Sequence, residues 1–299
     1  MTVTEKPNIV VEFALLGLLA MLWGSSYLFI KVAVSEIPPI TLIAFRVTVA
    51  AIFLFAVLSW KKEQLPRDRK TWRMLLVQSF FNSIGAWTLL AWGQQYIDSG
   101  LASVLNSTSP VFVFLFTALV TRHEVTSGLK LFGAFLGLLG VTLIVGVDVL
   151  AGLGQQVAGQ LAAITGAILY ACAAIYGKQF SHLTATATAT GAMIWASGVL
   201  IPASFIFEQP WMLSPSITAI MAAVVLAVFC TGCTLLIYFR LVKTLGSMGV
   251  ASQAYLRAGV GVLLGVLFLD EYLTPVIGFG LIAAILGVAA INMPVRAKR

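Results

Sequence analysis

Apolar residues run in blocks of about twenty along nearly the whole chain, and each block ends in a short knot of polar, charged or proline residues. An α-helix needs about twenty such residues to cross the hydrocarbon core of a bilayer. The pattern predicts ten membrane-spanning helices, at roughly 10–34, 40–59, 73–93, 99–121, 128–147, 158–178, 189–207, 217–241, 248–269 and 275–294. Pro38-Pro39, Pro66, Pro210, Pro215 and Pro275 punctuate the short connections. The biased run Thr184–Thr190 reads as the interfacial start of the seventh span.

The two halves of the pattern repeat. A constant offset of 147 pairs Lys31 with Lys178, Gly85 with Gly232, Glu124 with Glu271, Gly133 with Gly280 and Gly140 with Gly287, and sets Trp23 on Tyr170. Each half carries five spans, an odd number, so the second copy enters the membrane from the opposite side. The expected fold is an all-α integral membrane protein of ten transmembrane helices. Residues 1–150 form one five-helix repeat, and residues 151–299 a second, inverted one, around a central cavity. Inverted repeats of this kind place a solute site at their interface, near the midplane.

Composition agrees: 60% of the residues are hydrophobic, 10% are charged, and mean hydropathy is +1.00. A soluble domain carries about 25% charged residues. The net charge of +7 would suggest an acidic partner, but 15 of the 18 basic residues fall in the termini, connections and span ends on one side of the predicted spans. That is the positive-inside pattern; it places both termini in the cytoplasm and argues against nucleic acid. The expected partners are the lipid bilayer and a small-molecule substrate, with no obligate protein partner evident. The N-terminal apolar run is longer than a secretory core and ends at Lys31 without a cleavage site, so it reads as the first span. Cys172, Cys230 and Cys233 all lie in apolar segments; the spacing of the last two reads as small-residue packing, not as a redox or metal motif.

Polar residues inside the spans carry the candidate chemistry. In span nine Gly249, Gln253, Arg257, Gly261 and Gly265 recur every fourth residue, and Arg257 lies about 14 Å in, near the midplane. A charge there costs on the order of 3 kcal/mol, so it faces a wet cavity or a partner. A guanidinium suits a substrate carboxylate; the alternative is a structural arginine bonded to backbone carbonyls. Gln78, Asn82 and Gly85 share one face of span three, and Ser103, Asn106 and Pro110 one face of span four. Trp23, Ser26 and Tyr27 in span one and Tyr170 in span six would border the same cavity. For these amides and aromatics, helix–helix contact is the competing role. Arg46 lies only about 9 Å from the outer end of span two, close enough to snorkel outward, and reads as structural or gating. Lys31, Lys178, Glu124 and Glu271 read as interface anchors, gate partners or corners, with Thr126 and Thr274 as N-caps. The glycine stripes Gly133/Gly137/Gly140 and Gly280/Ala284/Gly287 read as close helix packing.

Several stretches resemble the ten-helix branch of the drug/metabolite transporter superfamily. They are 23–32 (WGSSYLFIKV), 38–46, 100–126, 128–141 and 246–288, and together the resemblance covers essentially the whole chain. It implies two five-helix halves around a central cavity, with substrate leaving the cytoplasm. Among members, the chain looks most like bacterial inner-membrane exporters of amino acids, aromatic ones included. The family often has proline where this chain has Gly259, and Arg257 is not a general family feature.

No nucleophile–base pair, metal cluster or phosphate-cradling loop is legible, so no enzyme activity and no cofactor is expected. With no acidic residue clearly mid-membrane, facilitated efflux is the expected mode. Export of phosphorylated metabolites or of lipophilic drugs, with or without proton coupling, stands as the alternative.

Overall fold

The computed structural model describes residues 8–97, 99–121, 127–145, 150, 153, 156–257, 260 and 274–293, and among these there is no strand. Among the described residues, seven helices are long and apolar enough to span a bilayer: α1 (Ile9–Val34), α2 (Pro39–Trp60), α3 (Arg69–Gly93), α7 (Val157–Tyr176), α8 (Ala185–Phe207), α9 (Ile217–Thr244) and α11 (Pro275–Asn292). Shorter helices are α4 (Ser99–Asn106), α5 (Ser109–Phe116), α6 (Gly128–Val145) and α10 (Gly246–Ala251). Of the expected ninth span, helix is described over 246–251 and 253–257 and at Val260; its remainder, with Glu271, lies outside the described residues, as does Glu124.

The helices start where the sequence supplies a cap. Asn8, Asp68, Thr184, Ser216 and Thr274 each accept a hydrogen bond from a backbone N–H two or three residues on, which satisfies one of the orphan donors of a helix start. Pro39 and Pro275 occupy first-turn positions that need no donor. Gly246, at φ 79°, turns the chain out of α9 in a conformation that favours glycine.

Large apolar side chains point outward, as a lipid-facing surface requires: Ile206, Phe207 and Leu119 are all more than two-thirds exposed. Inward, small residues let the helices approach closely. α6 and α11 meet along their glycines. A Cβ on Gly133 would lie 2.8 Å from the Gly287 carbonyl oxygen, and one on Gly140 would lie 2.6 Å from that of Gly280. Pairing the earlier glycine of one helix with the later one of the other makes them antiparallel. Gly137 leaves room for the ring of Tyr255, whose hydroxyl donates to the Ala134 carbonyl at 2.7 Å.

Two further antiparallel pairs are tied at their ends by carboxylates. Glu208, after α8, accepts from the backbone N–H groups of Ile40 (3.0 Å) and Thr41 (2.6 Å) at the start of α2. At the other end Glu63, after α2, accepts from the Thr184 hydroxyl at the start of α8. Glu36, after α1, accepts from Ser216 N and Oγ (2.6 and 2.8 Å) at the start of α9. Glu12, in the first turn of α1 and 1% exposed, takes Arg240 Nη2 at 2.7 Å and the Thr244 hydroxyl at 2.8 Å from the end of α9.

Two irregularities matter for the site. α3 and α9 each contain a π-helical segment, Phe80–Trp87 and Val228–Cys233, at matching places in the two halves. The fourth span breaks at 107–108, between α4 and α5, and the ninth turns at Ser252. The breaks touch, with Ser107 Oγ donating to the Ala254 carbonyl at 3.4 Å.

Candidate functional site

A narrow cavity lies between α1, α2, α3, α7 and the helix that follows α10, lined by Trp23, Ser26, Ile30, Arg46, Trp87, Leu90, Gln94, Tyr170 and Arg257. Its free volume is about 30 Å³, room for one or two waters. A solute larger than water would enter only as the helices part. The lining comes from the later part of α1, the beginning of α2 and the end of α3, so the cavity sits toward the side of the 35–38 connection.

Its walls carry two arginines. Arg257 is 8% exposed; its Nε donates to Gln253 Oε1 at 2.7 Å, and its guanidinium carbon stands 4.8 Å from the centre of the Trp23 ring. Gln253 precedes it by one turn, which is why the two side chains meet. Arg46 is 3% exposed and corrects the expectation that it snorkels outward: it points inward, stacked 4.0 Å over Trp87. Its Nε donates to Thr231 Oγ1 at 2.6 Å and its Nη2 to the Cys230 carbonyl at 3.3 Å. A partner on α9, far away in sequence, outcompetes the headgroup region.

The π segment of α9 makes that partner available. In a regular helix the Cys230 carbonyl would take the N–H of Thr234; here that N–H goes to Thr231 O. The Thr231 hydroxyl reaches back five residues, to Leu226 O at 2.8 Å. The Cys230 carbonyl instead accepts the Trp23 indole N–H at 3.0 Å together with Arg46. Trp23 therefore joins the two arginines, one through its N–H and one on its face. Tyr170 and Tyr238 flank it, with ring centres 6.4 and 5.5 Å away. None of the described lining residues is acidic.

The expected site residues divide. Trp23, Tyr170 and Arg257 line the cavity, and Gln253 holds Arg257. Gln78, Asn82 and Asn106 are buried but are not lining residues. Gln78 Nε2 donates to the Ala173 carbonyl of α7 at 3.2 Å, a helix–helix contact, and Asn82 Nδ2 lies 3.4 Å from the neighbouring Ser83 hydroxyl. Lys178 sits in a 3-10 turn after α7, away from the lining, and the side chain of Lys31 lies outside the described residues. Trp87, Leu90 and Gln94 were not anticipated. The cause is the π segment: one extra residue in the turn rotates everything after it by about 100°. Trp87, five residues beyond Asn82, thereby comes to the face that a regular helix would give to position 86.

The profile of the EamA-like transporter family matches the chain twice, over residues 12–146 and 157–293. "Uncharacterized transporter YoaV" of Bacillus subtilis is 24% identical over 87% of this chain and 90% of that protein. "Uncharacterized inner membrane transporter YedA" of Escherichia coli K12 is 27% identical over 85% of this chain and 81% of that protein. A crystal structure of a protein 17% identical in sequence superposes with a TM-score of 0.79 over 95% of this chain and 96% of that one, a likeness of fold.

Proposed function

The chain belongs to the EamA-like transporter family, within the drug/metabolite transporter superfamily, and is a multi-pass membrane protein; from that premise we propose that it exports amino acids, aromatic ones included, and similar small metabolites from the cytoplasm. The observation that carries this reading is Arg257, buried over Trp23 in a cavity whose described lining holds no acidic counter-charge. A substrate carboxylate fills that role, and the indole and phenol rings of Trp23 and Tyr170 receive its side chain.

Transport proceeds by alternating access of two inverted five-helix halves, ten helices in all. Three observations support this: the twofold match of the family profile, the reciprocal glycine pairing of α6 with α11, and the equivalent π segments of α3 and α9. Broken helices such as those at Ser107 and Ser252 are the kind that build midplane sites in such carriers. In this reading, supported by the basic connections, both termini are cytoplasmic, the cavity lies toward the outer face, and the membrane is the bacterial inner membrane. Efflux runs down the substrate gradient without a proton.

Flux from proteoliposomes loaded with a panel of amino acids tests this. Arg257→Ala is expected to cut transport of carboxylate substrates at least tenfold while the protein stays folded; equal transport by the variant would remove Arg257 from the mechanism. Collapse of an imposed pH gradient is expected to leave flux unchanged. A second reading, export of phosphorylated metabolites, gains support from the inward turn of Arg46, which brings a second guanidinium to the same cavity.

A further inference from the structure

We propose that Arg46 and Arg257 act together as a two-point anion clamp, so that the preferred substrate carries a second oxyanion besides the carboxylate held at Arg257. The inference rests on the reading of Arg257 as the carboxylate site, and it adds a role for Arg46.

Both guanidiniums are more than nine-tenths buried, and each lies over a tryptophan ring, at 4.0 Å for Arg46 and 4.8 Å for Arg257. Each is fastened through Nε to a neutral side-chain oxygen, Thr231 Oγ1 for Arg46 and Gln253 Oε1 for Arg257. These bonds hold position without cancelling charge. A guanidinium carries five N–H donors, so a bond through Nε leaves Nη donors for the carboxylate or phosphate that its fork matches. The Cys230 carbonyl takes one further bond from Arg46, at 3.3 Å, and is neutral as well.

Spacing is set by a rigid part. Trp23 carries Arg257 on its face and shares the Cys230 carbonyl with Arg46 through its indole N–H. The two cations are therefore tied to one shared side chain. Facing one small cavity, they repel each other in a medium of low dielectric constant. A single carboxylate would neutralise one and leave the other uncompensated, whereas two oxyanions on one substrate neutralise both. Acidic amino acids and phosphorylated amino acids share that chemistry.

Competition binding to the full chain in lipid nanodiscs separates the possibilities, using glutamate against its near-isostere glutamine, and phosphoserine against serine. We expect glutamate or phosphoserine to bind about tenfold to a hundredfold more tightly than its uncharged counterpart, the range for a charge-assisted hydrogen-bonded contact. Whichever pair shows the gain identifies the second group as carboxylate or phosphate. Arg46→Gln is expected to erase most of that gain and to weaken glutamine far less. Should Arg46→Gln fail to fold, Thr231→Val, which unfastens Nε and keeps the charge, is expected to weaken the dianion selectively. Equal binding within both pairs, or a preference that the folded Arg46 or Thr231 variant leaves intact, overturns the clamp. Glutamine binding that still depends on Arg257 would then leave the amino-acid reading standing, whereas loss of all amino-acid binding by the wild type would remove both.

Discussion

Adding one methyl group at Gly140 tests the seam that joins α6 to α11. A Cβ there would lie 2.5 Å from Ala284 N, 2.6 Å from the Gly280 carbonyl oxygen and 2.9 Å from Ala284 Cα. All three are backbone atoms, so no side chain can rotate out of the way. Ordinary contact begins at 3.4 Å, and the helices must therefore part by up to about 0.9 Å. A gap of 0.5–1 Å forfeits roughly a quarter to a half of each contact's attraction. Overpacking of this kind typically costs about 1–3 kcal/mol, against at most ~1 kcal/mol regained from the better helix propensity of alanine. Gly140→Ala is thus expected to destabilise by about 1–2 kcal/mol. The same change at Gly17, Gly198 or Gly278 meets nothing within 4 Å and should be neutral or stabilising by up to ~1 kcal/mol. Thermal unfolding in one detergent at a fixed scan rate reads the sign, since membrane proteins often unfold irreversibly. Gly280→Ala strains the same gap, so the double variant should lose less than the sum of the two singles. A Gly140→Ala protein as stable as Gly198→Ala would refute the close approach.

The other predictions concern charge. Arg240→Ala leaves Glu12, 1% exposed, with the Thr244 hydroxyl as its one remaining side-chain donor among the described residues. Breaking a fully buried pair costs ~3–5 kcal/mol, and since Arg240 is 51% exposed we expect about 1–3 kcal/mol; adding Glu12→Gln should restore part of it in the same melting assay. The backbone N–H and hydroxyl of Ser216 hold the Glu36 carboxyl below the ordinary glutamate value. A lowered folded-state pKa stabilises fully above the ordinary range, near pH ~4.3, and that contribution is lost as pH falls through the lowered value. Wild type should therefore lose more stability than Glu36→Gln between pH 6 and pH 3, and parallel curves would dismiss the contact. Loss of carboxylate flux in Arg257→Ala and of selectivity in Arg46→Gln complete the set.

The seven membrane-length helices and the seam glycines were legible in the sequence, because both depend on local properties. A run such as 10–34 has no stable place outside a bilayer, and Ile9–Val34 is helical as expected. Small residues at Gly133, Gly137 and Gly140 have few roles in a span besides close approach. Thr274 and Thr184 cap helices because a hydroxyl at that offset bonds the nearest N–H. Arg257 was singled out by cost alone, since a charge so deep requires a polar neighbour.

Arg46 was decided only by tertiary structure. Its distance from the end of α2 permits either an outward or an inward side chain, and the choice falls to Thr231 and Cys230 on a helix 185 residues away. Trp87 and Gln94 were hidden for a different reason. Residue periodicity presumes one helical repeat, and a π turn changes the phase without leaving a mark in composition. Sequence by itself determined which segments leave water and where charge is too costly to stand alone. The direction each charge points, and which side chains share its cavity, follow from which helices pack together and from the phase in which they do so.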